Sequence, residues 1–172
     1  MPFDLAHVAA CQEITDEEVI RAFATLMAAM RTRGIIRTKN VVGDLGERYA
    51  VHAYEAHGKK RPIALASTNS TDFDARDASG FRFNIKAVSH SSTRTSAFHL
   101  EKDREESEKA FDYLVVVRVN DLMQPVQVFE FTWEQFWRVK VWSERQKAWF
   151  LPLTKKVLNS AEVIFSTIGG KG

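Results

Sequence analysis

Residues 72–88, with the sequence DFDARDASGFRFNIKAV, decide the fold of this 172-residue chain. Gly80 suits the left-handed backbone position that closes a three-residue loop, so this segment is predicted to form a β-hairpin. The loop then sets the pairing register. The opposed pairs are Asp77 with Phe81, Arg76 with Arg82, Ala75 with Phe83, Asp74 with Asn84, and Asp72 with Lys86.

Alternation along the two predicted strands separates the hairpin into two faces. One face is apolar enough to join a core, and it holds Phe73, Ala75, Phe81, Phe83, Ile85 and Ala87. The other face is polar, and it holds Asp72, Asp74, Arg76, Arg82, Asn84 and Lys86. Opposed side chains have Cβ atoms about 5 Å apart. Strand pairing alone therefore gathers an aspartate, an amide and a lysine.

These residue types suit phosphodiester hydrolysis. That reaction uses a hard cation held by carboxylate oxygens, a water molecule that the cation activates, and a positive charge near the phosphate. Asp74 is the candidate metal ligand, the Ile85 carbonyl is expected to complete the coordination, and Lys86 is the candidate positive charge. The alternative interpretation is a solvated hairpin face with a cross-strand ion pair, which would contribute less than about 1 kcal/mol.

The rest of the sequence predicts helices around a mixed sheet, in an α/β or α+β domain. Capping boxes at Thr15 and Thr132 predict helices over 16–33 and from Trp133 to about Lys140. A second helix is predicted over 44–57, with its apolar stripe at Leu45, Tyr49, Ala53 and Ala56. Further strands are predicted at 63–66, 113–119 and 126–131, and a charged surface helix at 101–110.

Three elements in this order resemble the PD-(D/E)xK nuclease superfamily, the restriction-endonuclease-like fold that includes Holliday-junction resolvases. Residues 43–50, GDLGERYA, resemble its first-helix motif G-x-x-G-E-x-x-A, with Glu47 at the acidic position. Asp74 resembles the motif's aspartate. Asn84-Ile85-Lys86 stands at the (D/E)xK position, where Asn84 replaces the usual acid. The resemblance covers residues 40–131.

The resemblance implies a DNA endonuclease of the restriction or repair type that uses Mg²⁺, with Mn²⁺ as a substitute. It implies a mixed central sheet flanked by helices over residues 40–168, preceded by an N-terminal helical segment over 1–39. The implied catalytic residues are Asp74, Asn84, Lys86 and Glu47, and the implied metal ligands are Asp74, Ile85 and Glu47. A homodimer is expected because a DNA duplex has two strands to cut.

Asn84 keeps a second interpretation open. Its amide oxygen is able to ligate a metal, but it adds no negative charge. The alternative is therefore a catalytically degenerate module that binds DNA or a protein partner without cleaving. A plain surface position for Glu47 is also open, because Glu47 lies off the predicted Leu45–Tyr49–Ala53 stripe.

Candidate DNA contacts lie on the hairpin and in the loop that follows it. Arg76 and Arg82 project from the polar face. The loop carries hydroxyls, a histidine and an arginine without acids, which suits phosphate contacts. These loop residues are Ser89, His90, Ser92, Thr93 and Arg94. An ordinary polar loop is the alternative.

The composition narrows the class of protein without selecting a partner. Lys and Arg number 24 and Asp and Glu 22, so the formal charge of +2 neither requires nor excludes nucleic acid. The single cysteine, Cys11, rules out an internal disulfide. No stretch approaches the roughly 20 apolar residues that span a bilayer. We therefore expect a cytoplasmic protein without membrane association.

Overall fold

The computed structural model describes residues 15–57, 60–67 and 73–167. The chain divides into two compact units, Met1–Lys39 and Asn40–Gly172. No helix within the described residues combines the length and the apolar character needed to cross a membrane.

The first unit contains helix α1 (Asp16–Thr32), which confirms the helix predicted from the Thr15 capping box. The Thr15 hydroxyl accepts a hydrogen bond from the Glu18 N–H, and the Glu18 carboxylate accepts one from the Thr15 N–H at 2.9 Å. The chain leaves the helix at Gly34, which has a φ of 64°. None of the residues of α1, all of which the structure describes, is buried.

The second unit is a mixed sheet with helices around it, as the sequence predicted. Its strands are β1 (Ile63–Leu65), β2 (Ala75–Asp77), β3 (Arg82–Ser89), β4 (Tyr113–Val119), β5 (Pro125–Thr132), β6 (Val141–Ser143), β7 (Ala148–Phe150) and β8 (Glu162–Ser166). Its helices are α2 (Val41–His57), α3 (Trp133–Val139) and α4 (Lys155–Leu158).

In the described part of the chain, six strands form one sheet in the order β1-β2-β3-β4-β5-β8, and β6 pairs with β7. The β3–β4 pair is parallel and the other pairs are antiparallel.

Apolar side chains cover both faces of this sheet. Within the described residues they form two clusters, and alternate residues of β4 belong to different clusters: Leu114 and Val116 to one, Val115 and Val117 to the other. Helix α2 contributes to the Val115 cluster, and α3 contributes to the Leu114 cluster. Burial on both faces explains why the sequence of β4 is an almost unbroken apolar run.

The hairpin has the predicted register. Ala75 pairs with Phe83, and Arg76 pairs with Arg82. The Asp77 N–H donates to the Phe81 carbonyl at 3.2 Å, and Gly80 has a φ of 85°. The predicted pairing of Asp72 with Lys86 lies outside the described residues because Asp72 is not among them.

The predicted surface helix over 101–110 is wrong. The segment consists of turns and irregular backbone. The Arg104 side chain donates to the Glu108 carbonyl at 2.9 Å, and the Trp133 indole donates to the Glu106 carbonyl at 2.7 Å. No apolar residue stands between Leu100 and Ala110, so a helix here would have no apolar face to pack on the domain.

Substituting Gly80 tests the hairpin turn. A Cβ at this position would meet no heavy atom within 4 Å, so Gly80→Ala is expected to add only backbone strain at positive φ. The expected loss in the free energy of unfolding is about 1 kcal/mol, measured by urea denaturation. Gly80→Asn is expected to lose less, because Asn tolerates this conformation. Wild-type stability in Gly80→Ala would contradict the account.

Candidate functional site

Helix α2 approaches β3 unusually closely. A Cβ built on Gly46 would lie 2.4 Å from the Cβ of Ala87, so the helix reaches this depth only because Gly46 has no side chain. The buried residues of α2 are Asp44, Gly46, Ala50, Ala53 and Tyr54. The predicted stripe holds at Ala53, which is buried, and at Tyr49, which packs against the same cluster. It was wrong at Ala56, which is exposed, and Leu45 is only half-buried.

The corrected stripe changes the position of Glu47. Glu47 precedes Ala50 by three residues and Tyr54 by seven, which are helical spacings, so it lies on the side of α2 that faces the sheet. Its side chain is half-buried. Glu47 is therefore not fully exposed, and its role at the site stays a prediction.

Asp74 is held at the end of β2 by its backbone and by its side chain. Its N–H donates to the Phe83 carbonyl, and its own carbonyl accepts from the Ala66 N–H, both at 2.8 Å. Its carboxylate oxygen Oδ2 accepts from the Ile85 N–H at 2.6 Å. If the β2–β3 pairing continued past Ala75, a backbone carbonyl would accept the hydrogen bond from the Ile85 N–H. The Asp74 carboxylate takes that place.

The Ile85 carbonyl faces the same edge of β3 as the Asp74 carboxylate. In an extended strand the N–H and C=O of one residue point to the same side. Because the Ile85 N–H points to Asp74, its carbonyl does too. The predicted carboxylate and backbone ligands therefore lie side by side.

Asn84 and Lys86 lie on the opposite side of β3 from the buried Phe83 and Ile85. They line a cavity of about 140 Å³ together with residues from the segment after β3. Those other lining residues are Ala97, Phe98, His99, Leu100 and Phe111.

The Asn84 amide oxygen has an unfilled acceptor position. Oδ1 is buried and has no hydrogen-bond partner among the residues that the structure describes. A buried, unpaired carbonyl oxygen is costly and is often found where a ligand or ion binds. Asn84 therefore has the surroundings of a ligand position.

Lys86 is half-buried and lies within electrostatic reach of both carboxylates. Burial lowers the pKa of Lys86, and the negative charges of Asp74 and Glu47 partly oppose that change. Its Nζ lies 4.9 Å from the centre of the Phe98 ring. Lys86 is not fully solvated, as the alternative interpretation expected, because Phe98 and Phe111 of the Leu114 cluster line the same cavity. The structure instead brings Asp74, Glu47 and Lys86 within electrostatic reach of one another.

The candidate donor atoms are all oxygens. They are the carboxylates of Asp74 and Glu47, the carbonyl of Ile85 and the amide oxygen of Asn84. Oxygen donors of this kind suit Mg²⁺ or Mn²⁺ rather than zinc. Residues 15–57, 60–67 and 73–167 contain no group of three or more His, Cys, Asp or Glu that could hold a metal. Any bound cation would therefore depend on the amide and backbone oxygens as well.

The two arginines predicted to contact DNA have different surroundings. Arg82 is held by the protein: its Nε lies 3.3 Å from Asp112 Oδ2, and its Nη2 donates to the Lys109 carbonyl at 3.1 Å. Arg76 is exposed, and its guanidinium stacks 4.3 Å from the centre of the Phe73 ring. Arg76 is the more accessible of the two.

The predicted DNA-contact loop runs from the end of β3 toward the β6–β7 hairpin. The Ser89 hydroxyl is hydrogen-bonded to that of Ser91 at 2.9 Å, and Ser92 is half-buried. His90, Thr93 and Arg94 are exposed. The backbone of Arg94 forms an isolated antiparallel β-bridge with Pro152. Its guanidinium carbon lies 4.2 Å from the centre of the Phe150 ring. The loop begins three residues after Lys86, which places it near the candidate site. Its contact with DNA stays a prediction.

Sequence reasoning missed a buried charged cluster on the α2 side of the sheet. Glu130 is only 6% exposed, accepts a short hydrogen bond from the Tyr54 hydroxyl, and pairs with Lys60 Nζ at 2.8 Å. Lys60 also pairs with Glu162 at 2.6 Å. The signal was a lone acid between Phe129 and Phe131 in an apolar strand.

The surroundings of this cluster favour the protonated forms of Tyr54 and Lys60. Burial, together with the charge of Glu130, raises the pKa of Tyr54 far above its ordinary value, so the hydroxyl stays a donor. Burial alone would lower the pKa of Lys60, but hydrogen bonds and charge from Glu130 and Glu162 outweigh it and raise that pKa. The cluster ties α2 and the segment before β1 to β5 and β8.

Among solved structures, the chain has distant likenesses. The chain matches no protein-family model and no curated protein. It is similar to the solved structure of a bacterial homing endonuclease, I-Ssp6803I, with a TM-score of 0.40 and 12% sequence identity, over 69% of this chain and 81% of that chain. Similarity at this level assigns no function to this chain.

Filling the space at Gly46 tests the contact that positions Glu47. Gly46→Ala is expected to push α2 away from β3 and to lower the free energy of unfolding by about 1–3 kcal/mol, as overpacking does. Removing the opposing methyl in Gly46→Ala/Ala87→Gly is expected to restore most of that loss, because Ala87 Cβ is the nearest atom. Urea denaturation measures both variants, with Ala87→Gly alone as the control. A double variant no more stable than Gly46→Ala would refute this packing.

Proposed function

We propose that this chain is a metal-dependent DNA endonuclease that hydrolyses phosphodiester bonds, of the restriction or repair type. The observation that carries the proposal is the arrangement at the edge of β3. A half-buried lysine, Lys86, shares a cavity with the unpaired Asn84 oxygen, and the anchored Asp74 carboxylate lies beside the Ile85 carbonyl. The order of these elements also resembles the PD-(D/E)xK nucleases.

The residues at this edge would hold Mg²⁺, or Mn²⁺ in its place. Asp74 and the Ile85 carbonyl would be direct ligands, Asn84 would take the second side-chain position, and Glu47 would contribute directly or through water. Bound there, the ion would supply an activated water and polarise the phosphoryl oxygens. The unpaired Asn84 oxygen supports this fit, because a cation would satisfy it.

Lys86 would orient the hydrolytic water and offset negative charge that develops on the phosphate. Its ammonium lies 4.9 Å from the centre of the Phe98 ring and within electrostatic reach of the two carboxylates, a position suited to charge stabilisation. Burial strengthens its charge interactions because little water screens them. The exposed Arg76 and the loop residues His90, Thr93 and Arg94 would contact the phosphate backbone.

Plasmid cleavage tests the catalytic assignment. Supercoiled DNA is expected to be nicked or linearised with Mg²⁺ or Mn²⁺, and EDTA is expected to abolish the activity. Lys86→Met keeps the bulk and removes the charge, and is expected to lose at least about 100-fold in rate, as for other charge-stabilising groups. Asp74→Asn keeps an acceptor for the Ile85 N–H but removes the charge, and is expected to lose as much.

Lys156→Ala is the matched control, since Lys156 is an exposed lysine on α4, away from the residues assigned here. It is expected to cleave at the wild-type rate. Equal cleavage by wild type and Lys86→Met would reject the assignment of Lys86.

Asn84 favours a second candidate function, a module that binds DNA without cutting it. The position lacks the acid of the motif, and no three-residue acidic or histidine group compensates among the described residues. Under this alternative, the wild type would bind DNA with an affinity that falls steeply with salt. It would release no cleaved product with either metal.

Restoring the acid separates the two functions. Asn84→Glu is expected to raise the metal affinity of the site and to increase cleavage at low Mg²⁺, because a carboxylate adds charge to the ligand set. Asn84→Gln is the control for the longer side chain. Cleavage by Asn84→Glu with none by the wild type would favour the binding module, and an active wild type would exclude it.

A further inference from the structure

Helix α1 presents an apolar seam to solvent. Val19, Phe23 and Leu26 are 46%, 63% and 43% exposed, and Ile20 beside them is 67% exposed. Met30 continues the series. The spacing of four, three and four residues from Val19 to Met30 is that of a heptad seam, which packs against a second helix.

The other side of α1 is polar or small, so the seam is one stripe of an amphipathic helix. Glu17 and Arg21 pair there at 2.9 Å, and the Thr25 hydroxyl donates to the Arg21 carbonyl. Amphipathic helices in proteins gain most of their stability by packing the apolar face. A stripe of large apolar side chains left in water therefore indicates an interaction surface.

The charged residues at the two ends of the seam favour a second copy of α1 as its binding partner. Asp16 precedes Val19 by three residues and Arg33 follows Met30 by three, so both extend the seam, and both are exposed. A second copy of α1 in the antiparallel direction would place Asp16 opposite Arg33 at both ends. A parallel copy would place Asp16 opposite Asp16.

The apolar residues fit the same alignment. Antiparallel pairing that brings Asp16 opposite Arg33 of the second copy also brings Val19 opposite Met30 and Phe23 opposite Leu26. Every seam residue then meets a complementary one, as a two-fold interface requires. The helix is thus complementary to itself in shape and in charge.

We propose that this seam is a self-association surface, on which α1 of one chain packs antiparallel to α1 of a second copy in a homodimer. The proposal is independent of the proposed nuclease function, because it uses none of the residues at the edge of β3. Loss of cleavage would leave it standing, and a monomeric chain would leave the nuclease proposal standing.

Light scattering and sedimentation of the full chain test the dimer. At micromolar concentration the mass is expected to be twice 19.6 kDa. Phe23→Glu places a charge in the seam and is expected to raise the dimer Kd by about tenfold or more. Ala24→Glu adds the same charge on the outward side of the helix and is expected to leave the Kd unchanged. Phe23→Ala is also expected to weaken the dimer. Because alanine favours the helix more than phenylalanine does, a weaker dimer in this variant would come from lost packing and not from an unfolded helix.

Charge reversal tests the direction of the two helices. Asp16→Arg and Arg33→Asp are each expected to weaken the dimer, and the double variant is expected to recover it. Because both reversals oppose the helix dipole, recovery would come from pairing between copies. A wild-type monomer at micromolar concentration, or a dimer insensitive to Phe23→Glu, would overturn the proposal. A double variant weaker than both single variants would overturn the antiparallel arrangement.

Discussion

The parallel pairing of β3 with β4 places β3 between two apolar layers, and the properties of the candidate site follow from that burial. Phe83 and Ile85 pack on the α2 side, while Val88, with Phe98 and Phe111 from later segments, belongs to the other layer. Asn84 and Lys86 therefore project into a cavity that Phe98 and Phe111 partly cover, and both residues are half-buried. An ammonium and an unpaired amide oxygen are costly there, which is the usual sign that they are kept for function.

Helix α2 carries both Glu47 and Tyr54, so it links the candidate site to the buried charged cluster on the α2 side of the sheet. Gly46 allows the close approach to Ala87 beside Glu47, and eight residues later Tyr54 donates to the buried Glu130. Both contacts hold α2 against the sheet, one by close packing and one by a satisfied polar network. Because α2 is anchored in these two places, the position of Glu47 relative to Lys86 is set by rigid packing rather than by a loop.

The pairing of neighbouring strands was predictable from the sequence. The segments that pack on the two faces of the sheet were not. The register of Ala75 with Phe83 follows from a short turn, and β4 follows from its apolar run. Alternation assigned Lys86 to the polar face but carried no information on whether another segment covers that face. The partners of Glu130 lie 76 and 70 residues away along the chain, at Tyr54 and Lys60, so their contacts depend on tertiary packing alone.

In the proposed cation site, the amide at Asn84 would change the balance between folding and cation binding. A third carboxylate beside Asp74 and Glu47 would attract a divalent cation more strongly, but without the cation it would add buried negative charge that Lys86 alone would have to offset. A neutral oxygen lowers that cost in the cation-free protein and lowers the attraction for the cation as well. Under the proposed function, cation binding would therefore depend more on the fixed positions of the Asp74 carboxylate and the Ile85 carbonyl. The hydrogen bond from the Ile85 N–H to the Asp74 carboxylate holds the carboxylate in place.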